Sequence, residues 1–442
     1  MKTQKIAAID IGTTKIVCTF AEIDESGHLT IKASASVSSV GMLRGAVRNV
    51  TQVGESIKRV VAEVEKKIGE KINRVFVGVA GDHIRSTRVN DYVVLNEEDS
   101  LIETRHLKEL EEKIRNSTVS ENKKILSIIA QDYFLDGERI YDVVGAMGKR
   151  LEANYHLIMA DEKALRALDM ALEMAEVTVI EYILEPLASA LATLTGDEKE
   201  AGVIMFDIGG GTTDIAVFKD HRLVFTAVIP FGGKSITADV KKTMKLTEAL
   251  SEEIKLKYGS CLPSQLGDDI IKIPNEGYGD REVSIKKVSE VIQARVDEII
   301  KYAVSEIQRA GVSNNEIGMG IVLTGGGSQL QHLAQKISLL LGMEARMASP
   351  LLFKETKALF KPSLSTNAGL ILAGIEYLKK HPDADITKSF EQEVEQEEPV
   401  AVEVEMEDKK KRKRSINSFG ERIFGGMTEL LFGKEEEDIK MN

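Results

Sequence analysis

Cysteine is scarce in this chain, and long apolar runs and any excess of positive charge are missing from it. Its two cysteines, Cys18 and Cys261, stand far apart and offer neither a disulfide framework nor a metal-ligand spacing, so a reducing, cytoplasmic setting is expected. No apolar run approaches the roughly 18 to 20 residues that cross a bilayer, and any membrane contact is therefore expected to be peripheral. Met1 to Ile11 leads directly into an apolar strand pattern without the basic and long apolar regions of a signal peptide. A net charge of −12 and a pI near 5.4 give nucleic acid no overall attraction.

What the chain does have is length and apolar content: 442 residues, 43% hydrophobic, enough for two or more domains with real cores. Charge is unevenly placed. Residues 391–408 hold nine acidic residues and no basic one, whereas Lys409 to Arg414 are six consecutive positive charges. Like-charge blocks of this kind predict a disordered, interacting tail.

One stretch organises the rest. Phe206-Asp-Ile-Gly-Gly-Gly-Thr-Thr-Asp214 has a milder copy near the N-terminus, Ile9-Asp-Ile-Gly-Thr-Thr-Lys15. In each, an apolar run ends in Asp, passes through glycines and hydroxyls, and resumes as an apolar run, which reads as strand, tight turn, strand. A hairpin signal follows in each copy, at Glu25 to His28 and at Lys219 to Arg222, so each half is predicted to begin with a three-strand meander. Glycine turns let a ligand approach the backbone and present N–H groups in anion-binding concavities. Two facing turns could grip one polyphosphate.

Between the copies, Val53, Ile57, Val60, Val61, Val64 and Ile68 recur at helical spacing before Gly69. Val75 to Ala80 reads as a buried strand, and the alternating patterns that follow, with one charged helix at Glu103 to Arg115, read as an inserted α+β unit ending near Ala160. A helix from Glu162 to Ala175 and a strand from Val177 to Leu184 resume the first half. Glu185-Pro186 then places Glu185 at the strand tip, where doubly wound sheets bind ligands. After the second copy, Phe231-Gly-Gly-Lys234 opens a mostly helical insertion through Ile307, interrupted by Pro263, Gly267, Pro274, Gly277 and Gly279. A third glycine turn, Thr324-Gly-Gly-Gly-Ser328, is predicted to join a short strand to a helix from Gln329 to Leu341, with the helix N-terminus toward a phosphate or ribose. Ser365 to Leu378 reads as a small-residue helix packed between the halves.

Carboxylates beside a polyphosphate need a cation, so Asp10 and Asp207 are candidate holders of Mg²⁺, through water. Gly12, Thr13, Thr14, Lys15, Gly209, Gly210, Gly211, Thr212 and Thr213 are candidate phosphate contacts, although the hydroxyls read equally well as satisfied turn residues. Neither Asp turn fits the P-loop pattern or leads into a helix, which removes the P-loop and Rossmann readings.

In this order, Asp10 to Lys15, Glu185-Pro186, Asp207 to Asp214, Thr324 to Ser328 and Asn367-Ala-Gly369 resemble the five-part nucleotide site of the actin, Hsp70 and sugar-kinase superfamily. The resemblance spans residues 1–380. It implies an α/β fold of duplicated actin-like, ribonuclease-H-type domains, each with an inserted subdomain, and ATP with Mg²⁺ in the cleft between them. It puts Glu185 near the attacking water as the candidate catalytic residue, and Gly325, Gly326 and Gly327 behind the adenosine. Glu252 and Lys255 would flank adenine and ribose; their i, i+3 spacing on one helical face suits such a clamp, and suits a surface ion pair as well. The implied boundaries are 1–83 with 161–200 for the first domain, 84–160 for its insertion, 201–231 with 313–383 for the second, the last of these returning to the first domain, and 232–312 for the second insertion.

Within the superfamily the chain most resembles the FtsA family of bacterial cell division, whose distinctive subdomain follows the strand occupied here by Val75-Phe-Val-Gly-Val-Ala-Gly81. That implies self-polymerisation, weak ATPase activity at most, other membrane division proteins as partners, and Arg295, in Ser289 to Arg295, as a contact for the C-terminal peptide of FtsZ. Rival expectations are an actin-like scaffold for shape or pili and a small-molecule kinase. An Hsp70-type chaperone would need a folded domain after residue 380.

The tail carries separate information. After a charged linker at 384–414, residues 415–433 put Ile416, Phe419, Ile423, Met427 and Leu430 on one helical stripe, widened by Phe424 and Leu431. Burying each of about six large apolar side chains is worth at most roughly 1.5–3 kcal/mol, and interfacial partitioning realises only part of it. Six basic residues at an anionic surface add about 1 kcal/mol each, while Gly425 and Gly426 cost about 1 kcal/mol each in helix propensity. The balance predicts reversible anchoring of an amphipathic helix at anionic lipid. The alternatives are packing back onto the body and a nucleic-acid or nuclear-import patch at Lys409 to Arg414, the latter opposed by the acidic globule.

Overall fold

Both Asp-containing turns are the tips of antiparallel hairpins in two sheets of identical strand order. The structure, a computed structural model, describes residues 4–95, 101–117, 122–273, 280–313, 316–351 and 360–381. The linker at 384–414, the segment 415–433 with Ile416, Phe419, Ile423, Phe424, Met427, Leu430 and Leu431, and Pro274, Gly277 and Gly279 lie outside them.

The first half opens with β1 (Gln4–Ile11), β2 (Lys15–Ile23) and β3 (Leu29–Ser38), an antiparallel meander. Its second turn is shaped by Asp24, whose carboxylate accepts the Ser26 and His28 N–H groups at 2.9 Å each, and by Gly27 at φ +82°. A short hairpin of β4 (Met42–Leu43) and β5 (Ala46–Val47) leads to α1 (Val50–Ile68). Asn49 caps that helix by accepting from the Gln52 N–H, and left-handed Gly69 ends it. The apolar stripe identified from the sequence is buried against the sheet. β6 (Arg74–Val79) then runs parallel to β1.

The insertion comprises β7 (Ile84–Val94), α2 (Thr104–Ser117), β8 (Lys123–Leu135), β9 (Glu138–Ile140) and β10 (Arg150–Asp161). Its strands pair in the order β7-β10-β8-β9, and α2 covers one face through Leu110 and Ile114. The chain returns through α3 (Glu162–Met174) and β11 (Thr178–Leu184) to α4 (Glu185–Thr193), completing a sheet ordered β11-β6-β1-β2-β3.

After α5 (Gly196–Ala201), the second half repeats the plan with β12 (Val203–Ile208), β13 (Thr213–Lys219) and β14 (Arg222–Ile229). Its insertion holds α6 (Gly233–Met244), α7 (Glu248–Tyr258), β15 (Ile270–Ile273), β16 (Arg281–Ser284) and α8 (Ile285–Arg309). β17 (Ile321–Thr324), α9 (Leu333–Leu341) and β18 (Ala345–Met347) complete a sheet ordered β14-β13-β12-β17-β18, and α10 (Ser365–Lys380) carries the chain back to the first half. All these elements fall in one compact unit. The duplicated α/β expectation is met: each sheet has three antiparallel strands followed by two parallel ones.

Four local expectations change. Glu185 is the first residue of α4, with Pro186 buried in the first helical turn, rather than the tip of β11. The loops of the second insertion include a two-stranded ribbon, β15 with β16. The helix after the third glycine turn starts at Leu333, because Gly326–Gln329 coil into a 3₁₀ turn and His332 is left-handed, at φ +63°. Finally, α10 lies on α4, β1 and β6 of the first half, where Gly374 faces Ile6 and Phe76, and reaches the second half through its first residues.

Candidate functional site

The β1–β2 and β12–β13 turns meet face to face. A Cβ on Gly210 would stand 1.8 Å from Thr14 Oγ1, and one on Gly211 would stand 2.5 Å from Thr13 Oγ1, so only glycine lets the second turn approach the first. The third glycine turn closes behind them. Gly325, at φ +81°, lies so near Asp207 that a Cβ there would be 2.3 Å from Oδ1.

These turns border a cleft of about 530 Å³ between the halves. Asp10, Gly12, Thr13, Thr14, Lys15, Glu185, Asp207, Gly209, Gly210, Gly211, Thr212, Glu252, Lys255, Gly325, Gly326 and Gly327 all line it. Thr213 does not. Its hydroxyl donates to the Phe231 carbonyl at 2.9 Å, and the residue is fully buried in β13. Sequence proximity put it in the candidate set, but alternation along β13 gives the cleft face to the next residue, Asp214, and turns Thr213 the other way.

Four buried or cleft-facing carboxylates converge at the floor: Asp10, Glu185, Asp207 and Asp214. Burial raises the Asp10 carboxyl to about 6, with Lys15 opposing the shift and Asp207 adding to it. Burial also lifts Asp207, against hydrogen bonds from Ser189 and Thr366. Glu185 and Asp214 are pushed well above the usual carboxylate range, first by desolvation and then by the neighbouring acids. Lys15 is lowered by its own burial, opposed by Asp10 and Asp207, and donates to the Ser363 carbonyl at 2.7 Å.

Lys15 offsets Asp10 and Asp207, while Asp214 Oδ1 is buried without a hydrogen-bond partner. An orphaned carboxylate oxygen in an acid cluster suits a hard cation. Among the described residues no three His, Cys, Asp or Glu side chains sit close enough to ligate one ion together. The donor set thus fits Mg²⁺ held largely through its own water and a ligand's phosphates.

Away from the acids, Glu252 and Lys255 form an ion pair of 2.7 Å on α7. Lys255 is 4% exposed and also donates to the Gly233 carbonyl at 3.1 Å and the Thr237 hydroxyl at 2.9 Å, which makes it a fixed part of the cleft wall. Arg295 sits elsewhere, on α8. It bonds Asp239 of α6 and Glu298, each at 2.5 Å, beside an open groove lined by Lys242, Thr243, Val291 and Ala294.

Asp214, Ser189, Thr366 and Lys234 were not in the candidate set. Asp214 had a signal: it is equidistant from the turn with Asp207, and the hairpin register pairs the two directly. Ser189 of α4 and Thr366 of α10, the latter at 3.1 Å, both donate to Asp207 Oδ2, contacts that only tertiary packing creates.

Comparison with known proteins matches residues 204–369 to the model described as "Cell division protein FtsA" and residues 81–159 to "SHS2 domain inserted in FTSA". The cell division protein FtsA of Pseudomonas aeruginosa is 32% identical over 375 residues, covering 84% of this chain and 89% of its own. The chain belongs to the FtsA family. The family's SHS2 insert coincides with the sheet of β7 to β10 and its helix α2. Two solved structures share the actin-like fold. In the PilM-PilN type IV pilus biogenesis complex the similarity has a TM-score of 0.61 at 17% identity, covering 84% of this chain and 98% of that one. MreB5 of Spiroplasma citri, bound to ADP, gives 0.53 at 13% identity, covering 87% and 100%.

Proposed function

We propose that this family member binds ATP with Mg²⁺ between its two Asp turns, polymerises on the cytoplasmic face of the cell membrane at the division septum, and tethers the FtsZ ring there while recruiting other division proteins. The observation that carries the nucleotide part is the convergence of four acids, two facing glycine turns and Gly325 to Gly327 on one cleft. Asp10 and Asp207, with Asp214 beside them, would hold the hydrated cation, which supplies the charge that lets carboxylates stand beside phosphate. The turn N–H groups and Lys15 would contact phosphate, Gly325 to Gly327 the adenosine, and Glu252 with Lys255 the base and ribose. Glu185 is the candidate for orienting water; its carboxyl is raised above its usual range, first by desolvation and then by the neighbouring acids. MreB5, an actin-fold neighbour, carries ADP.

The tether rests on the family and on the charge and apolar pattern of residues 409–433. The groove between α6 and α8 beside Arg295 is the proposed seat of the FtsZ C-terminal peptide.

Titration of the full chain with ATP and Mg²⁺ tests the site. Asp207→Ala should weaken binding at least about tenfold, the scale of one lost charge-assisted contact, and unchanged affinity would sink the two-turn reading. Removing residues 415–442 should abolish sedimentation with anionic liposomes, and a pull-down with the FtsZ peptide should fail for Arg295→Ala.

A further inference from the structure

Three lysines line the cleft, and their charges are differently committed. Lys15 lies against Asp10 and Asp207, whose charges act on it directly. Lys255 is paired with Glu252 at 2.7 Å. Lys234, among the described residues, forms no ion pair. Its ammonium donates to the Thr13 carbonyl at 2.8 Å, a neutral acceptor on the opposite half of the molecule.

The backbone around Lys234 fixes this reach. Lys234 is the second residue of α6, and its own N–H donates to the Gly210 carbonyl at 2.7 Å while Gly233 donates to Gly209 at 2.9 Å. The start of α6 is thereby pinned to the second glycine turn, and the side chain spans from there to the first. Lys234 is itself solvent-accessible, so its ammonium can exchange acceptors without unfolding anything. Thr13 is held in place from the other side by the Gly45 N–H, which donates to its hydroxyl at 3.1 Å.

A triphosphate brings more negative charge into this cleft than a diphosphate does. The lysine with no carboxylate to neutralise it is the one free to answer that charge, and its ammonium gains a direct charge–charge attraction from a phosphate oxygen that a neutral carbonyl does not supply. We propose that Lys234 is the residue by which the cleft distinguishes nucleoside triphosphate from diphosphate, exchanging the Thr13 carbonyl for the terminal phosphate. The exchange ties α6 of the second half to the ligand rather than to the first half. This inference rests on the nucleotide reading of the cleft, and adds to it a sensor of the terminal phosphate.

The test is calorimetric titration of the full chain with ATP and with ADP, each with Mg²⁺, for wild type, Lys234→Gln and Lys234→Arg. Glutamine keeps a donor for Thr13 and removes the charge; arginine keeps the charge. Lys234→Gln should lose about tenfold in ATP affinity, one charge-assisted contact, and less than about twofold in ADP affinity. Lys234→Arg should recover most of the ATP loss. Equal losses for both nucleotides, or none, would overturn the sensor and leave the nucleotide site standing. A wild type that binds neither nucleotide overturns both readings.

Discussion

Gly369 of α10 passes so close to α4 that a Cβ at this position would stand 1.8 Å from the Ala188 carbonyl oxygen. One residue further along α4, Ser189 holds Asp207; three residues back along α10, Thr366 bonds the same carboxylate. The tight crossing of these helices is therefore what brings both hydroxyls to one acid of the opposite half. Gly369→Ala should cost about 1–3 kcal/mol by forcing the helices apart, a typical price for overpacking against backbone, and should weaken nucleotide binding as well. Chemical denaturation reads the first effect and titration with ATP and Mg²⁺ the second. A variant as stable as the parent would show that the helices separate without strain.

The acid cluster predicts opposite effects on stability and binding. Asp214 is fully buried, its carboxyl raised by desolvation, then by Asp207 and Asp10. A carboxyl raised in the folded state disfavours folding when ionised, and the cost fades as pH falls through its folded value. Asp214→Asn removes that cost. Without divalent cation at neutral pH it should raise the unfolding temperature, while lowering affinity for ATP with Mg²⁺. A drop in both would mean that Asp214 is a structural acceptor only.

The half-exposed ion pair that joins α5 to β18 predicts the reverse case, in which lost charge only destabilises. Arg346 holds Glu198 through two parallel bonds, Nε to Oε1 and Nη2 to Oε2, each at 2.7 Å, and also donates to the Thr193 carbonyl at 3.2 Å. Glu198 is 5% exposed. Arg346→Ala would leave that carboxylate only the Thr195 N–H and hydroxyl, at 2.8 and 3.2 Å, at a cost of about 1–3 kcal/mol. Arg346→Lys would recover less than half of it, because an ammonium cannot make the planar double contact. Urea denaturation of the two variants separates these outcomes.

Local chemistry made the duplicated sheets legible. Strand alternation, the Asp-glycine turns and the Gly69 stop each act within a few residues, and the same five-strand order appears twice in the chain. What escaped was set at a distance or against local signals. The ribbon of β15 and β16 is flanked by prolines and glycines that read as loop. His332 adopts a left-handed conformation that its side chain does not announce, so the sequence pattern points to an α9 start that is too early. In the site, the glycines and most of the acids followed from motif order, whereas Ser189, Thr366 and Lys234 bond residues 18, 159 and 221 positions away. The placement of the insertion was equally hidden. It is inserted into the first half, yet its side chains bond the edge strand of the second: Gln131 donates to the Leu223 carbonyl at 2.7 Å, Ser86 to Thr226 and Arg88 to Val224.

That last contact contains a titratable group. His156 of β10 is 3% exposed, its Nδ1 has no partner, and it faces Arg88 of β7 and the Leu223 backbone of β14. Burial, reinforced by Arg88, lowers its pKa from 6.5 to about 4, against a backbone hydrogen bond at Leu223. The folded state thus prefers neutral imidazole. Its contribution is complete above pH 6.5 and declines as pH falls toward 4, because the unfolded chain takes up the proton first. The full effect is roughly 3 kcal/mol. Other groups titrate in the same window, so the informative quantity is the difference between parent and His156→Gln: the parent should lose more stability between pH 7.5 and 5 in urea denaturation. Because β14 is an edge strand whose carbonyls this insertion covers, protonation should also loosen the insertion from the second half before the sheets unfold, seen as lower amide protection factors, relative to intrinsic exchange, in β7, β8 and β14 at pH 5. Equal pH slopes in the two proteins would place the histidine outside the joint's energetics.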